Sequence, residues 1–336
     1  MRKYNAENER LKRRYEQYMR EAKGQDEKSI DKVRAALVKF EESTKYRAFK
    51  SFHIEQARQF KVALSRAKTA RGKPLSLTTT DATLRLVKGF FHWLAGQQGF
   101  KKVVTYADVE YFNNNRNDAR AAHTQRLVQF PSTQAAYHAF QGMPERTELE
   151  RRDKAIFAFL MITGARVGAV SSLRLKHINL VGGFVYQDGR EVRTKGRKTI
   201  TTWFFPMHPD YLAYFTDWMM FLSNDKMFGQ EDALFPKPER RLVNGKFTFD
   251  SLSRDIYANG AKVNEVFRDA FVKVQMYPYG AHSVRKTLGH ELSDRNLPLA
   301  TQKAWSQNMG HENFTTTASS YLPVSHQQQG ELIKGL

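Results

Sequence analysis

The sequence predicts a mainly α-helical chain with one small three-stranded antiparallel sheet, divided into two domains. Three observations carry this. At 336 residues the chain exceeds the roughly 100 to 200 that one compact unit usually holds. Apolar residues recur at three- and four-residue spacing through most of its length, the period of amphipathic helices. Only between 177 and 206 does the pattern turn strand-like.

Taken in order, the first hundred residues read as four helices, at about 5–22, 27–43, 52–67 and 79–96. The fourth opens TTTDATLRLVKGFFHWLAG, where a Thr or Asp caps the first amides. Leu84, Leu86, Val87, Phe90, Phe91 and Leu94 form its core face, and Gly96 stops it. Lys68, Arg71 and Lys73 make a basic connection before this helix, while Arg85 and Lys88 lie on it, away from most of the apolar set. Residues 101–128, which include NNNRNDARAAHTQR, are polar and basic and read as a linker between a domain at 1–100 and another at 129–336.

Pro131-Ser132-Thr133 is a helix-opening signal, and a second helix runs from about Glu148 to Thr163 through AIFAFLMI. Gly164 ends it, which puts Arg166 at or near the start of the next helix, VGAVSSLRL. A meander follows: INLVGGFVYQ, the turn pair Asp188-Gly189, EVRTK, a basic tip KGRK at 195–198, and TITTWFFP. Helices resume after Pro206 with PDYLAYFTDWMMFLSN, SLSRDIYANGAKVNEVFRDAF, AHSVRKTLGHEL, LATQKAWSQNM and the tail SHQQQGELIKGL.

Lys and Arg number 54 against 34 Asp and Glu, a net charge of +20. The excess falls in both halves, with 23 basic and 11 acidic residues in 1–100 and 31 and 23 in the remainder. Such a spread suits a long polyanion touching both, because each neutralised phosphate releases counterions. Nucleic acid is the expected partner. The absence of cysteine removes disulfides and thiolate metal sites and fits a reducing compartment. The apolar run Ala155 to Ile162 is far short of the roughly 20 residues a membrane span needs. The N-terminus has no apolar signal core, so a cytoplasmic protein, nucleoid-associated when on DNA, is expected.

Six residues in the last half form a set suited to metal-free phosphodiester transfer: Arg166 in TGAR, Lys195 at the hairpin tip, His282 and Arg285 in HSVRK, His311 in MGH, and Tyr321. Arginine forks remain charged and can grip non-bridging phosphate oxygens, so Arg166 and Arg285 are the candidate clamp. His282 and Arg285 are three apart and project from one helical face. A tyrosine hydroxyl, with a reference pKa near 10, needs such a cationic field or a base to attack near neutral pH. The departing 5′ oxygen needs a proton, and Lys195 is the natural donor, with Lys198 on the same tip as its competitor. Gly310 before His311 permits close backbone approach. Singly each residue reads more readily as surface or packing; the ordered conjunction carries the signal. The histidines lack metal-ligand spacing, so no metal or other cofactor is expected.

This order and spacing resembles the tyrosine recombinase (phage-type integrase) family over nearly the whole chain. The resemblance implies a two-domain DNA clamp, with a helical core-DNA-binding domain at 1–100 and a mixed α+β catalytic domain with a C-terminal tail from 129. It implies Tyr321 as nucleophile forming a 3′-phosphotyrosyl link without metal or ATP, and Arg166 and Arg285 as phosphate clamps. Lys195 becomes the general acid, His282 an acid/base and phosphate contact, and His311 a further phosphate ligand. The implied partners are double-stranded DNA carrying a recombination site, further copies of the chain in a tetramer on two sites, and accessory or directionality proteins, in the setting of a mobile genetic element. Lys68, Arg71, Lys73, Arg85, Lys88, Arg197 and Lys198 are the candidate DNA contacts.

The chain departs from the family pattern in three places. Ala169 stands where relatives usually carry Glu or Asp; TLGHEL follows HSVRK, where an aromatic and Ala are common, with a His290 of no family role; and the step from His311 to Tyr321 is one residue longer than is common. The competing readings are a type IB topoisomerase-like strand transferase, which shares the catalytic set, and a catalytically idle DNA-binding relative.

Overall fold

The computed structural model describes residues 4–70, 72–124, 129–243, 245–295 and 297–312, together with 315, 330, 333 and 334. Arg71, Tyr321 and nearly all of the 325–336 tail lie outside the described residues. The chain forms two compact units, Met1–Arg126 and Leu127–Leu336.

In the first unit, α1 (Ala6–Glu21), α2 (Glu27–Ser43), α3 (Ile54–Arg66) and α4 (Leu77–Ala95) fall within two residues of the predicted spans. Their starts are set locally: Asn5, Asp26 and Ser76 each accept a hydrogen bond from a first-turn amide. Ser76, rather than one of the following Thr residues or Asp81, caps α4, so that helix begins two residues earlier than the sequence pattern indicates. Leu84, Val87, Phe90, Phe91 and Leu94 are buried as expected, in a core of interlocking rings where Phe91 meets Phe40 edge-on and stacks on Phe112, each at 5.0 Å.

Phe112 belongs to the segment expected as a linker. Val104, Val109 and Phe112 are fully buried, and two short helices there, α5 (Tyr106–Val109) and α6 (Arg116–His123), belong to the first unit. The apolar residues that anchor this stretch are too sparse to show a period, which is why its polarity dominates the sequence pattern.

The second unit is built around α8 (Glu148–Thr163), whose residues Ala155 to Ile162 are buried on every side. Around it lie α7 (Thr133–Gln141), α9 (Val167–Val170), α10 (Pro209–Met220), α11 (Ala261–Lys273), α12 (Val284–Asp294) and α13 (Leu299–Asn308). A three-stranded antiparallel sheet of β1 (Ile178–Asn179), β2 (Phe184–Gln187) and β3 (Ile200–Trp203) runs in sequence order, with β3 at an edge. No described helix is long and apolar enough to cross a membrane.

Three details differ from the sequence reading. The first turn of the meander lies at Gly182-Gly183, with Gly183 left-handed at φ 71°, rather than at Asp188-Gly189. EVRTK is not a strand. Its backbone folds back so that the Asp188 carbonyl accepts from Glu191 and Val192, Val192 is buried, and the Arg193 amide donates to Ser172 Oγ. A side chain on Gly189 would meet the Arg197 carbonyl head-on, so 188–199 is a folded loop between β2 and β3. Residues 251–260 are also not helical. A two-stranded ribbon of β4 (Pro238–Val243) and β5 (Lys246–Leu252) precedes α11, signalled in the sequence by Asn244-Gly245 between two β-rich runs.

Candidate active site

Gly164 ends α8 in the left-handed region at φ 58°, and α9 restarts after a short break with Arg166 as its N-cap residue. The break is tightly wedged. A Cβ on Gly260 would lie 2.8 Å from the Val167 backbone, and one on Gly168 would lie 3.3 Å from the Arg193 carbonyl. These approaches fix the backbone from which Arg166 projects.

Arg285 lies in the first turn of α12 and is 2% exposed. Its guanidinium donates to the Gly164 carbonyl at 2.8 Å and the Met309 carbonyl at 2.7 Å, and approaches His311 Nε2 at 2.6 Å. Gly164 and Met309 are the C-cap residues of α8 and α13, so the cation faces the negative ends of two helices. Their carbonyl oxygens supply negative potential to the guanidinium, and Ala169 is itself buried.

A guanidinium can only donate, so His311 Nε2 accepts and the neutral ring carries its proton on Nδ1. Burial, followed by the Arg285 and Arg166 cations and the His282 ring, pushes His311 down to about 4. Arg166 reaches the same place, its Nη1 standing 3.7 Å from the position a Cβ on Gly310 would take. Gly310 has φ 72° and packs against Ile200, so glycine is required there on both counts.

His282 sits in the 3-10 turn Ala281–Ser283 that leads into α12. The residue is exposed, while protein packed around the ring, then the charges of Arg285, Arg166 and Lys286, lower its pKa below the usual imidazole value. Four of the six predicted residues, Arg166, His282, Arg285 and His311, thus share one cationic cluster in which both imidazoles are held toward the neutral form.

Lys195 is placed differently. It is exposed on the 188–199 loop in a 3-10 turn, Lys195–Arg197, where Gly196 and Arg197 have positive φ. Arg197 is exposed beside it. Lys198 is ion-paired with Glu312, the residue after His311, and this pairing lowers the Glu312 pKa. Tyr321 falls outside the described residues.

On the first unit, Lys68 and Lys73 are exposed on the connection before α4, while Arg71 is not described. Arg85 pairs with Asp81 at 3.1 Å and Lys88 with Glu110 at 2.9 Å, so both carry their own counterions.

Residues 129–328 match the Phage integrase family, well over half of the chain. Among solved structures, a lambda integrase dimer bound to a COC′ core site is similar at 13% identity, covering 93% of this chain and 94% of that one with a TM-score of 0.61. A second lambda integrase dimer on a COC′ core site reaches 0.64 at 13% identity, covering 96% and 77%. The Tn1549 transposon integrase in complex with transposon right end DNA reaches 0.61 at 15% identity, covering 97% and 99%. No curated protein matches the chain. At these identities the structural likeness is one of fold, and the family match adds the class. The chain belongs to the phage integrase family and is a tyrosine-type site-specific recombinase.

Proposed function

We propose that the chain cuts and rejoins double-stranded DNA at a specific site through a 3′-phosphotyrosyl intermediate, with Tyr321 as the nucleophile and without metal or ATP. The observation that carries this is the convergence of Arg166, Arg285, His282 and His311, with Arg285 fixed in advance by two helix ends. A phosphodiester gains negative charge on its non-bridging oxygens as it is attacked, and cations held before the reaction need no reorganisation to meet it.

In the proposed step the Tyr321 oxygen bonds to phosphorus as the bond to the 5′ oxygen breaks. The phenolic proton passes to a base, for which His282 is the candidate because its lowered pKa leaves the ring neutral near pH 7. Lys195 delivers a proton to the departing 5′ oxygen. His311 contributes its Nδ1–H toward the phosphate while Nε2 remains on Arg285. The protein-DNA bond conserves the energy of the broken one, so a 5′ hydroxyl can reverse the step. Exposed basic residues on each unit, Lys68 and Lys73 on the first and Arg197 on the second, supply phosphate contacts, and copies of the chain assemble as a tetramer on two sites.

The test is covalent trapping. The substrate is a nicked duplex carrying a candidate core, chosen as a repeated or palindromic sequence with two half-sites in the DNA flanking the gene. The wild-type protein is expected to accumulate a protein-DNA adduct that Tyr321→Phe abolishes. An adduct of the same yield in Tyr321→Phe would remove Tyr321 from the role.

A further inference from the structure

The stretch 308–312, which carries His311, runs alongside β3 in antiparallel order. Asn308 meets Trp203, Gly310 meets Ile200, and Glu312 meets Lys198. The first contact is the most directional. Asn308 Oδ1 accepts from the Trp203 amide at 2.6 Å and Asn308 Nδ2 donates to the Trp203 carbonyl at 2.8 Å. The side-chain amide thus pairs with both backbone groups of one residue on an edge strand, as a neighbouring strand would.

Two further bonds carry the connection across the sheet. Thr202 Oγ1 donates to the Asn308 carbonyl at 3.1 Å, and Gln187 Nε2 donates to Thr202 Oγ1 at 3.0 Å. Gln187 and Thr202 are both buried. Gln187 ends β2 and Thr202 lies in β3, so both stems of the loop that carries Lys195 are tied to Asn308. The adjacent Met309 carbonyl holds Arg285. One short segment therefore touches the loop stems on one side and the arginine on the other.

We propose that Asn308 is a positioning residue that sets the register between the Lys195 loop and the Arg285–His311 cluster. The exposed Lys198–Glu312 pair adds little to this, since such pairs contribute little in water. Asn308 touches neither substrate nor reacting atoms. It acts by bringing the proton donor to the leaving oxygen. This inference rests on the proposed cleavage step, with Lys195 as general acid.

The experiment compares wild type, Asn308→Leu, Asn308→Asp and Lys195→Ala on nicked duplexes whose 5′ leaving group is either oxygen or sulfur. Sulfur departs without a proton, so a defect confined to proton delivery disappears on the thiol substrate. Asn308→Leu keeps the branched shape and removes both hydrogen bonds, and about a tenfold to hundredfold loss on the oxygen substrate is expected. On the thiol substrate the same variant is expected within about threefold of wild type, with DNA affinity unchanged. Asn308→Asp, which keeps the acceptor and sets a carboxylate oxygen against the Trp203 carbonyl, should show the same pattern, and it carries the test if the leucine variant does not fold. Equal slowing on both substrates, or no slowing on either, overturns the assignment of Asn308. Absence of adduct from wild type, or failure of sulfur to restore Lys195→Ala, instead overturns the cleavage reading.

Discussion

Arg285 and Lys195 are both cations assigned to the same phosphodiester, and the fold treats them in opposite ways. Arg285 is buried, with its fork divided between two helix ends and an imidazole. Lys195 is exposed at the tip of a loop that is held at its stems and through Val192 and Arg193. The contrast matches the two tasks. A group that must meet developing charge works best when fixed beforehand, whereas a proton donor needs only to arrive at the leaving oxygen with its proton. The carbonyl oxygens around Arg285 supply negative potential without a titratable group.

The largest expected effect tests the loop side. Lys195→Ala should slow cleavage by roughly 100- to 10,000-fold with an oxygen leaving group and be restored by sulfur. Lys198→Ala, which removes a pairing with Glu312, should cost less than about tenfold, as a surface pair would. If the two lysines exchange these results, the proton donor is Lys198. The cluster side comes next: Arg285→Lys retains charge and loses the fork, and should slow cleavage about 100- to 1,000-fold equally on oxygen and sulfur substrates. Rescue of that variant by sulfur would erase the contrast between the two regions.

A third prediction concerns the neutral imidazoles. His311 has a native pKa of about 4 against about 6.5 for a free ring. Between these values the unfolded chain binds the proton and the folded one does not, so stability is full above about pH 6.5 and is lost as pH falls toward 4. The loss reaches about 3 kcal/mol. Denaturant melts of wild type and His311→Gln over this window should show the smaller acid loss in the variant. Identical pH slopes would mean that neither burial nor the Arg285 and Arg166 charges lower the His311 pKa.

The smallest effect is conformational. Gly310→Ala places a Cβ at φ 72° and 3.0 Å from Ile200, and should cost about 1 to 2 kcal/mol in stability. Adding Ile200→Val should recover part of that loss. A neutral Gly310→Ala would show that the contact between 308–312 and β3 is looser than its geometry.

Much of this was legible without coordinates, for a reason visible in particular residues. The helix from about Glu148 to Thr163 is legible from its apolar run and its terminating Gly164, and the structure adds the capping pair Thr147 and Glu150. The ribbon at 238–252 has an equally local signal in Asn244-Gly245, masked by the helix-like spacing of the run after it. EVRTK has the composition of a strand, but its shape comes from Val192 burying itself and Arg193 bonding to Ser172, contacts that leave no period in the chain.

The sequence by itself determined most of the helices, the presence of a small sheet, the basic character and the identity of the candidate catalytic groups, since these depend on residue type and on spacings of a few positions. The tertiary structure alone decided how those groups are held. Arg285 finds two of its acceptors, the Gly164 and Met309 carbonyls, 121 and 24 residues away, and Asn308 pairs with a strand 105 residues earlier. Those partners are backbone atoms, which every residue possesses, so nothing in the order of side chains marks them. Only the folding of distant segments against one another brings them into place.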